Sequence, residues 1–306
     1  MNFTLHQLKI WTVIVEKQSI TKAAESLHMT QPAVSIQLKN LQDQFAFPLT
    51  ELIGKRLVIT DFGKEMYEVA QNILAQVDNI NYQTQLHKGF LAGKLKIAVV
   101  STGKYVMPYF LQPFLAKHSH VDLVMDVANR KQVLESIEKN SFDFALVSVL
   151  PTNFEVHELG ILPNKLMLVG PNSADVHALS NKKNWQNLPL IYREEGSGTR
   201  FTMQQFFKKA NIQPRVKLAL TSNEAVKQAV IAGLGYSVLS IVSLRNELKM
   251  NDLTIVDVPG FPLYSEWKLI WPANKKLTKV AAAYLQHLQE NKVTIQEQHF
   301  SWMKDY

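Results

Sequence analysis

The sequence predicts an all-α N-terminal region with a winged helix-turn-helix, then a long linker helix, then a C-terminal α/β region. Three observations carry this prediction. Residues 19–45 have the pattern of two helices joined by a tight turn, and residues 64–87 hold a helical apolar repeat without glycine or proline. Beyond residue 90, short apolar runs alternate with amphipathic stretches. That alternation is typical of βα units around a mostly parallel sheet.

Composition narrows the class of protein. The chain has 306 residues, of which 46% are hydrophobic and 19% charged, as in ordinary globular proteins with two or three domains. No apolar run approaches the roughly 20 residues that span a bilayer. The N-terminus lacks a basic end followed by an apolar core, so we expect no signal peptide, no membrane partner and a cytoplasmic location. Because cysteine is absent, disulfides, cysteine metal sites and thiol catalysis are excluded.

The formal charge of +7 does not by itself indicate nucleic-acid binding. Residues 1–60 hold six basic and four acidic side chains, and residues 61–90 hold two basic and four acidic ones. The whole excess therefore lies after residue 90. The argument for DNA is the helix pair, together with a small positive charge close to it.

The helix pair has the features of a recognition motif. Ala23 and Ala24 are small enough for another helix to pack closely. Thr30 is a good N-cap, and Pro32 falls in the first turn, where its missing N–H does no harm. One predicted buried stripe follows at helical spacing: Val34, Leu38, Leu41 and Phe45. The opposite face presents Pro32, Ser35, Ile36 and Lys39. A helix of this kind can enter the major groove with its N-terminal residues leading.

The order A-A-x-x-L, T-Q-P-A-V-S and L-x-x-L over residues 23–41 resembles the N-terminal domain of LysR-type transcriptional regulators. The resemblance implies sequence-specific binding of double-stranded promoter DNA. Taken alone, the block could also be a helical hairpin that binds nothing or only a partner protein. We expect the leading residues of the helix to contact base edges and the cations to contact phosphates. The expected DNA-binding residues are Thr30, Gln31, Pro32, Ser35, Lys39, Lys55 and Arg56.

Residues 53–60 are predicted to form a two-strand wing that turns at Gly54 and Lys55. Four nearby positions depart from the family pattern, among them Ala46 in place of glycine and Thr50 in place of an aromatic residue. Gln42 stands where the family usually has glutamate, and Leu52 stands where it usually has a wing arginine. Since the lost arginine removes a phosphate contact, we expect DNA binding that is weaker or more salt-sensitive than is usual in the family.

The T-x-x-G sequence from Thr60 to Gly63 matches the family's entry to the linker helix. A heptad seam follows: Met66, Ala70, Ile73, Val77 and Ile80. At 1.5 Å per residue the helix would be roughly 35–40 Å long. Such a helix would expose its seam unless a partner covers it. The resemblance implies the same helix of another subunit, and a homotetramer built as a dimer of dimers. The alternative is a helix packed on its own chain.

The C-terminal region is predicted as a series of strands and helices. The predicted strands are 95–100, 121–127, 142–149, 166–169, 190–192, 215–220, 236–239 and 266–271. The predicted helices are 105–117, 131–140, 200–210, 224–232 and 277–290. The resemblance implies an effector-binding domain of two Rossmann-like subdomains, similar to periplasmic binding proteins. Prolines near 162–164 and 260–262 would mark hinge-like crossings between the subdomains.

On this basis the chain divides into four parts. The expected boundaries are 3–60 for the winged helix-turn-helix, 61–90 for the dimerisation linker helix, 91–290 for the effector-binding domain and 291–306 for a polar C-terminal tail. Within the effector-binding domain, subdomain I is expected to hold 91–162 and 263–290, and subdomain II to hold 163–262.

Ligands of open α/β sheets bind at the carboxyl ends of strands, beside helix N-termini, which suit anions. Hydroxyl, amide and glycine residues follow the predicted strands at such places. They are Ser101, Thr102, Asn129, Ser148, Ser197, Gly198 and Thr199. Each alone fits ordinary helix capping, but together they resemble the effector cleft of LysR-type regulators. With the nearby Lys104, Arg130 and Arg200, they indicate a small anionic effector. Residues 222–227, S-N-E-A-V-K, are similar to the branch that regulates carbon-fixation and sulfur-assimilation genes.

Two other classes of protein compete with a regulator. The sequence contains none of the motifs G-x-S-x-G, H-E-x-x-H and G-x-x-x-x-G-K-[ST], any of which would indicate an enzyme. His118 and His120 are a poor metal arrangement, so we expect no catalytic residues, no metal site and no cofactor. The other rival is a transporter's solute-binding protein with the same two-subdomain cleft, but the fused helix pair counts against it. We therefore predict a LysR-type regulator of promoter DNA, with RNA polymerase as a further partner implied by the resemblance.

Overall fold

A computed structural model describes residues 2–54, 56–174, 185–186 and 188–306. The chain divides into two compact units, Met1–Phe90 and Leu91–Tyr306. Within the described ranges, no helix combines the length and the apolar character needed to cross a membrane.

The first unit is a helical domain with a β-hairpin. Its elements in chain order are α1 (Leu5–Lys17), α2 (Ile20–Ser26), α3 (Gln31–Gln42), β1 (Thr50–Ile53), β2 (Arg56–Ile59) and α4 (Asp61–His87). The two strands pair antiparallel, from Thr50 opposite Ile59 to Ile53 opposite Arg56. The predicted helix-turn-helix, wing and linker helix are thus all present.

Hydroxyl side chains cap the helices of this unit. Thr4 and Gln7 form a reciprocal capping box at the start of α1. The predicted N-cap at Thr30 is confirmed, since its Oγ1 accepts a hydrogen bond from the N–H of Ala33 at 3.4 Å. Thr60 caps α4 by accepting from the N–H of Gly63 at 2.9 Å. These local bonds fix where α1, α3 and α4 begin.

The linker helix α4 packs on its own unit over its first half. Ala70 is 1% exposed, and Met66 and Ile73 lie against the same core as Trp11 of α1. Further along the helix, Ile80 is 66% exposed. The predicted seam is therefore divided between a half that the chain itself covers and a half that faces outward in this unit.

The second unit is an α/β domain. Its strands are β3 (Gly93–Val100), β4 (Val121–Ala128), β5 (Phe144–Val147), β6 (Val156–Pro171), β7 (Leu190–Arg193), β8 (Val216–Leu220), β9 (Ser237–Ser240), β10 (Leu253–Ile255) and β11 (Leu263–Pro272). Its helices are α5 (Met107–Lys117), α6 (Arg130–Glu138), α7 (Gly198–Lys209), α8 (Asn223–Ile231), α9 (Arg245–Lys249) and α10 (Lys279–Phe300).

Among the residues that the structure describes, two sheets organise this unit. One has seven strands in the order β10-β6-β11-β5-β3-β4, with β9 also on β6, and the other pairs β7 with β8. The expectation of a mostly parallel arrangement holds for β3 with β4 and β5 and for β7 with β8. It is wrong for β6, which pairs antiparallel with β9, β10 and β11. The two longest strands, β6 and β11, are antiparallel to each other and to the other strands beside them.

The segment 162–164, expected as a hinge-like connection, lies inside the 16-residue strand β6. Leu162 is opposite Trp267 and Asn164 is opposite Ser265 on β11. Pro163 lacks a backbone donor, and the ladder is irregular between Trp267 and Lys268. The irregularity falls at Ile161, between Leu162 and Gly160, whereas Pro163 stays in register opposite Glu266, so the expected hinge is part of a continuous strand.

The C-terminal segment also differs from the prediction. Helix α10 does not end near Glu290 but continues to Phe300, and a 3-10 helix follows at Ser301–Asp305. Ile295, Phe300 and Met303 are 3–6% exposed and join the main core of the unit. Residues 291–306 are therefore a packed extension, because these apolar side chains continue the buried side of the helix between its polar residues.

The partly buried side chain of His287, on α10, makes the stability of this unit depend on pH. Burial lowers the pKa of His287, Lys117 and His118 lower it further, and Glu290 opposes them. Its Nε2 atom is buried and has no hydrogen-bond partner among the described residues. In the unfolded chain the histidine pKa is about 6.5, so as pH falls the unfolded state takes up a proton at a higher pH than the folded state does. The free energy of unfolding therefore decreases as pH falls below that value. Chemical denaturation from pH 8 to 5 should show this loss, and His287→Gln should make it smaller. An unchanged pH dependence in the variant would contradict the assignment.

Candidate functional site

The burial of one face of α3 determines which residues of the helix point outward. Val34, Leu38 and Leu41 are 0–7% exposed, which orients the helix on the core of the first unit. Gln31 lies on the exposed side, where its Nε2 donates to Ser35 Oγ at 3.1 Å. The other predicted residues of this helix, Thr30, Pro32 and Lys39, are also exposed.

Ile36 was not among the expected base-contacting residues, although the sequence places it on the outward face. It is 58% exposed, an unusual position for a large aliphatic side chain on a helix whose other large apolar residues are buried. Apolar side chains on a recognition helix can contact thymine methyl groups. The helical wheel could have identified this residue.

The wing carries one predicted cation in a described position. Arg56 is exposed at the start of β2, and Gly54 turns the hairpin with a φ of 64°. Lys55 lies outside the described residues. Gln42, at the end of α3, holds the wing in place, because its Oε1 accepts from the backbone N–H groups of Leu49 and Thr50, both at 3.1 Å. An amide oxygen thus provides the acceptor at the position where the family pattern has a glutamate.

Leu52, which stands in place of the wing arginine, is 75% exposed on β1. We expect Leu52→Arg to tighten DNA binding, because the new cation reaches solvent without displacing any packed side chain. The slope of log affinity against log salt should become steeper by about one unit, the value for one added phosphate contact. Fluorescence anisotropy at several salt concentrations measures both effects. Leu52→Gln is the uncharged control, and equal affinities for the two variants would contradict the expectation.

In the second unit, the carboxyl ends of several strands meet at a narrow cleft. Six of the seven predicted effector residues line it, together with Val100 and two arginines that were not among them. The lining residues are Val100, Ser101, Thr102, Arg130, Ser148, Arg193, Ser197, Gly198 and Thr199. The enclosed space is about 10 Å³, room for about one water molecule. The cleft in this structure is therefore too small to hold an organic anion without movement of its walls.

Arg193 is the residue that the sequence analysis missed. It ends β7 and is 3% exposed. One of its terminal nitrogens donates to Ser101 Oγ at 2.9 Å, and its guanidinium forms a two-point ion pair with Glu194 at 2.8 and 2.9 Å. The useful signal was its position, since Arg193 directly follows a predicted strand, as the chosen serines and threonines do.

Arg130 forms a second cationic wall. Its Nε donates to the carbonyl oxygen of Val149 at 2.9 Å, and a terminal nitrogen donates to that of Leu150 at 2.6 Å. Burial lowers the pKa of Arg130 below its usual range. A larger cavity of about 210 Å³ adjoins the cleft and shares Arg130 and Ser197 with it. Arg200 and Glu195 also line that cavity.

Two helix N-termini lie beside these cavities. Ser197 caps α7 by accepting from the N–H of Arg200 at 3.5 Å, and it also lines the cleft. Asn129 caps α6 by accepting from the N–H of Gln132 at 3.0 Å. Asn129 does not line the cleft, so its predicted place there is not what the structure shows. Its side chain is directed toward the backbone of its own helix.

Gly198 lies close to the other wall of the cleft. A Cβ atom at this position would lie 3.6 Å from Arg130 Cδ and 3.8 Å from Ser148 Oγ. Both are ordinary van der Waals distances, so an alanine side chain would fit at this position and touch the opposite wall. Among the residues the structure describes, no group of three or more histidine, aspartate or glutamate side chains could hold a metal ion.

Comparison with known proteins identifies the two units. Residues 5–64 match the model of the bacterial regulatory helix-turn-helix proteins of the lysR family, and residues 88–292 match the LysR substrate binding domain. The chain belongs to the LysR family of transcriptional regulators. The predicted fold class, a helix-turn-helix domain followed by an effector-binding domain, is thereby confirmed for this LysR-type regulator.

Curated relatives match over nearly the whole length of this LysR-type regulator. The HTH-type transcriptional activator CmpR of Synechocystis sp. is 35% identical over 94% of this chain and 95% of its own. A RuBisCO operon transcriptional regulator of Allochromatium vinosum is 36% identical over 93% of this chain and 95% of its own.

Solved structures agree with both units of this LysR-type regulator. The regulatory domain of Synechocystis PCC6803 CcmR, solved in complex with 2-PG, is 32% identical with a TM-score of 0.62 and covers 65% of this chain and 97% of its own. Full-length CbnR complexed with its target DNA has a TM-score of 0.70 over 94% of this chain and 99% of its own. At 18% identity, the second likeness concerns the fold alone.

Proposed function

We propose that this LysR-type regulator binds promoter DNA through α3 and the wing, and that a small anion in the cleft of the second unit is its effector. The observation that carries the anionic assignment is Arg193. Its guanidinium is buried at the carboxyl end of β7 and donates to a hydroxyl of the neighbouring wall. A buried cation with spare donors beside hydroxyl groups suits a carboxylate or phosphate.

The charges around the cleft favour an anion. Arg130, Arg193 and Arg200 line the cleft or the adjoining cavity, and among the described residues the carboxylates paired with them are Glu194, on Arg193, and Glu195, on Arg200. The N-terminus of α7 adds a partial positive charge at Ser197. Because the sites are partly buried, these charges act at lower effective dielectric than surface pairs do.

The relatives suggest the first ligand and the first DNA to test. The CcmR regulatory domain was solved with 2-PG bound, and it is 32% identical to this chain. Two relatives are named as RuBisCO operon regulators. We therefore propose 2-PG as the first candidate effector and the promoter of a RuBisCO operon as the first candidate target.

The active form that we propose is a cytoplasmic dimer that pairs into a tetramer. The outward half of the α4 seam, which includes the 66% exposed Ile80, is the surface that a second copy of α4 would cover. RNA polymerase is the further partner through which DNA-bound regulator would act on transcription.

Two separate measurements test the proposal. A gel shift of the RuBisCO promoter, with a scrambled fragment of equal length as control, tests sequence-specific DNA binding. Titration calorimetry with 2-PG, sulfate and inorganic phosphate, against neutral polyols of similar size, tests the anionic effector. Binding of polyols but not anions would overturn the effector assignment and leave the DNA result standing. Binding of an anion without a shift of this promoter would overturn the RuBisCO operon as the target and leave the effector assignment standing.

A further inference from the structure

A further cavity lies apart from both the cleft and its adjoining cavity, between strand β6 and the C-terminal extension. Its volume is about 300 Å³. Carbon atoms form most of its wall, and the apolar lining residues are Leu162, Pro163, Val293, Phe300 and Met303. Ligand pockets begin at about this size.

Hydrogen bonds between the extension and β6 fix the walls of this cavity. Gln296 of α10 donates from its Nε2 to the carbonyl oxygen of Ile161. Lys165 of β6 donates from its Nζ to the carbonyl oxygen of Met303 at 3.1 Å. Because each bond joins one wall to the other, the space between them belongs to the folded domain.

The size and charge of the cavity define the ligand. A dry apolar cavity of about 150 Å³ is large enough for benzene, so this one holds roughly two fused rings. Lys165 and Lys304 line it with a single carboxylate, Glu297. The ammonium group of Lys165 has three donors, and its bond to Met303 uses one of them. We propose that this cavity binds a small molecule with a bicyclic or comparable apolar body and one carboxylate, held by Lys165.

The proposed site is separate from the effector cleft. The two cavities share no lining residue. Part of the wall comes from Val293, Phe300 and Met303, which follow the last residue matched by the LysR substrate binding domain, residue 292. The site therefore depends on an extension beyond the part of the chain that the family model covers.

The position of the cavity gives such a ligand access to the strands that cross the domain. Leu162 and Pro163 precede Asn164, which is 1% exposed. Asn164 donates to Ser265 Oγ of β11 at 2.9 Å and accepts from Ser240 Oγ of β9 at 2.5 Å. Asn164 thus joins three strands immediately beside the wall that the ligand would contact. Occupancy should stabilise this arrangement relative to any state in which the strands separate.

Titration calorimetry of the full-length protein with 2-naphthoate tests the site. We expect saturable binding that Val293→Phe and Ser301→Phe each weaken about tenfold or more by filling the cavity. Both positions line the cavity at its exposed side, so the substitutions need not disturb the core. Thr294→Phe is the matched control, since Thr294 is an exposed β-branched residue of the same helix that does not line the cavity. It should bind 2-naphthoate as the unaltered protein does.

The uncharged analogue 2-naphthalenemethanol tests the role of Lys165. Lys165→Gln should weaken 2-naphthoate but leave the alcohol unchanged, because only the carboxylate uses the ammonium group. Absence of 2-naphthoate binding at millimolar concentration would overturn the proposal. So would binding that Val293→Phe and Ser301→Phe leave intact but that 2-PG displaces by competition, because the ligand would then occupy the cleft. None of these outcomes depends on DNA binding, so they are independent of the proposed regulatory function.

Discussion

Arg193→Met is expected to abolish anion binding in the cleft. The substitution keeps an apolar stem of similar length but removes the buried guanidinium and its bond to Ser101. It also leaves the carboxylate of Glu194 without its ion-pair partner beside the incoming anion. Truncating one member of a buried charge pair costs about 2–5 kcal/mol of binding free energy, which corresponds to roughly 30-fold to several thousand-fold in affinity. Titration with 2-PG and thermal unfolding with and without it measure the loss.

Arg245→Met is the matched control for this substitution. Arg245 is an exposed arginine of α9, and its guanidinium lies over the ring of Trp302 at 5.5 Å, outside the cleft lining. Arg245→Met removes the same charge from the same unit as Arg193→Met, so a nonspecific effect of net charge would appear in both variants. Anion affinity that falls equally in the two variants, or that survives in Arg193→Met, would contradict the assignment of Arg193 to the effector site.

Gly63→Ala is expected to destabilise the DNA-binding unit and leave the second unit folded. A Cβ atom at Gly63 would lie 2.2 Å from the carbonyl oxygen of Leu49 and 3.0 Å from Ile59 Cγ2. That carbonyl also accepts the N–H of Thr60 at 3.1 Å, so moving it disrupts the junction between the wing and α4. Overpacking costs about 1–3 kcal/mol, and contact with the backbone lies at the upper end. We expect a lower first unfolding transition and loss of the gel shift.

Lys64→Ala is the control for Gly63→Ala, because it places alanine in the same turn of α4 without the steric clash. Lys64 is the next residue, and its ammonium forms an exposed ion pair with Asp61 at 2.8 Å. Exposed pairs contribute little, about 0–1 kcal/mol, so this variant should unfold and bind DNA almost normally. Calorimetric scanning that shows the same transition for Gly63→Ala and the unaltered protein would mean that the Leu49 carbonyl moves without cost.

The first unit was predictable because its determinants are local. Thr30, Thr60 and the apolar spacing of α3 each act within one or two turns, so a short window of sequence contains the information. The wing could likewise be identified from Gly54 between two short apolar runs. Gln42 was noted only as a departure, because its bonds to Leu49 and Thr50 depend on how the chain folds back.

The features that could not be predicted from the sequence lie in the second unit. Strand β6 was expected only from 166 to 169, although it extends from Val156 to Pro171. Its other residues are fixed by pairing with β11, about a hundred residues later in the sequence, as at Asn164 and Ser265. Arg193 was missed for a related reason, since its partner Ser101 is 92 residues away. Such contacts leave no periodic signal in the sequence.

The small volume of the cleft also constrains how quickly the regulator can respond. Because the cleft has room for about one water molecule, a carboxylate or phosphate that reaches Arg193 must first move its walls apart. The observed association rate should then rise with effector concentration only up to a plateau, which equals the rate of opening. The apparent affinity is reduced by the fraction of molecules that are open. Substitutions that widen the cleft without touching the effector would therefore raise both the apparent affinity and the association rate, and so lower the effector concentration at which the regulator responds.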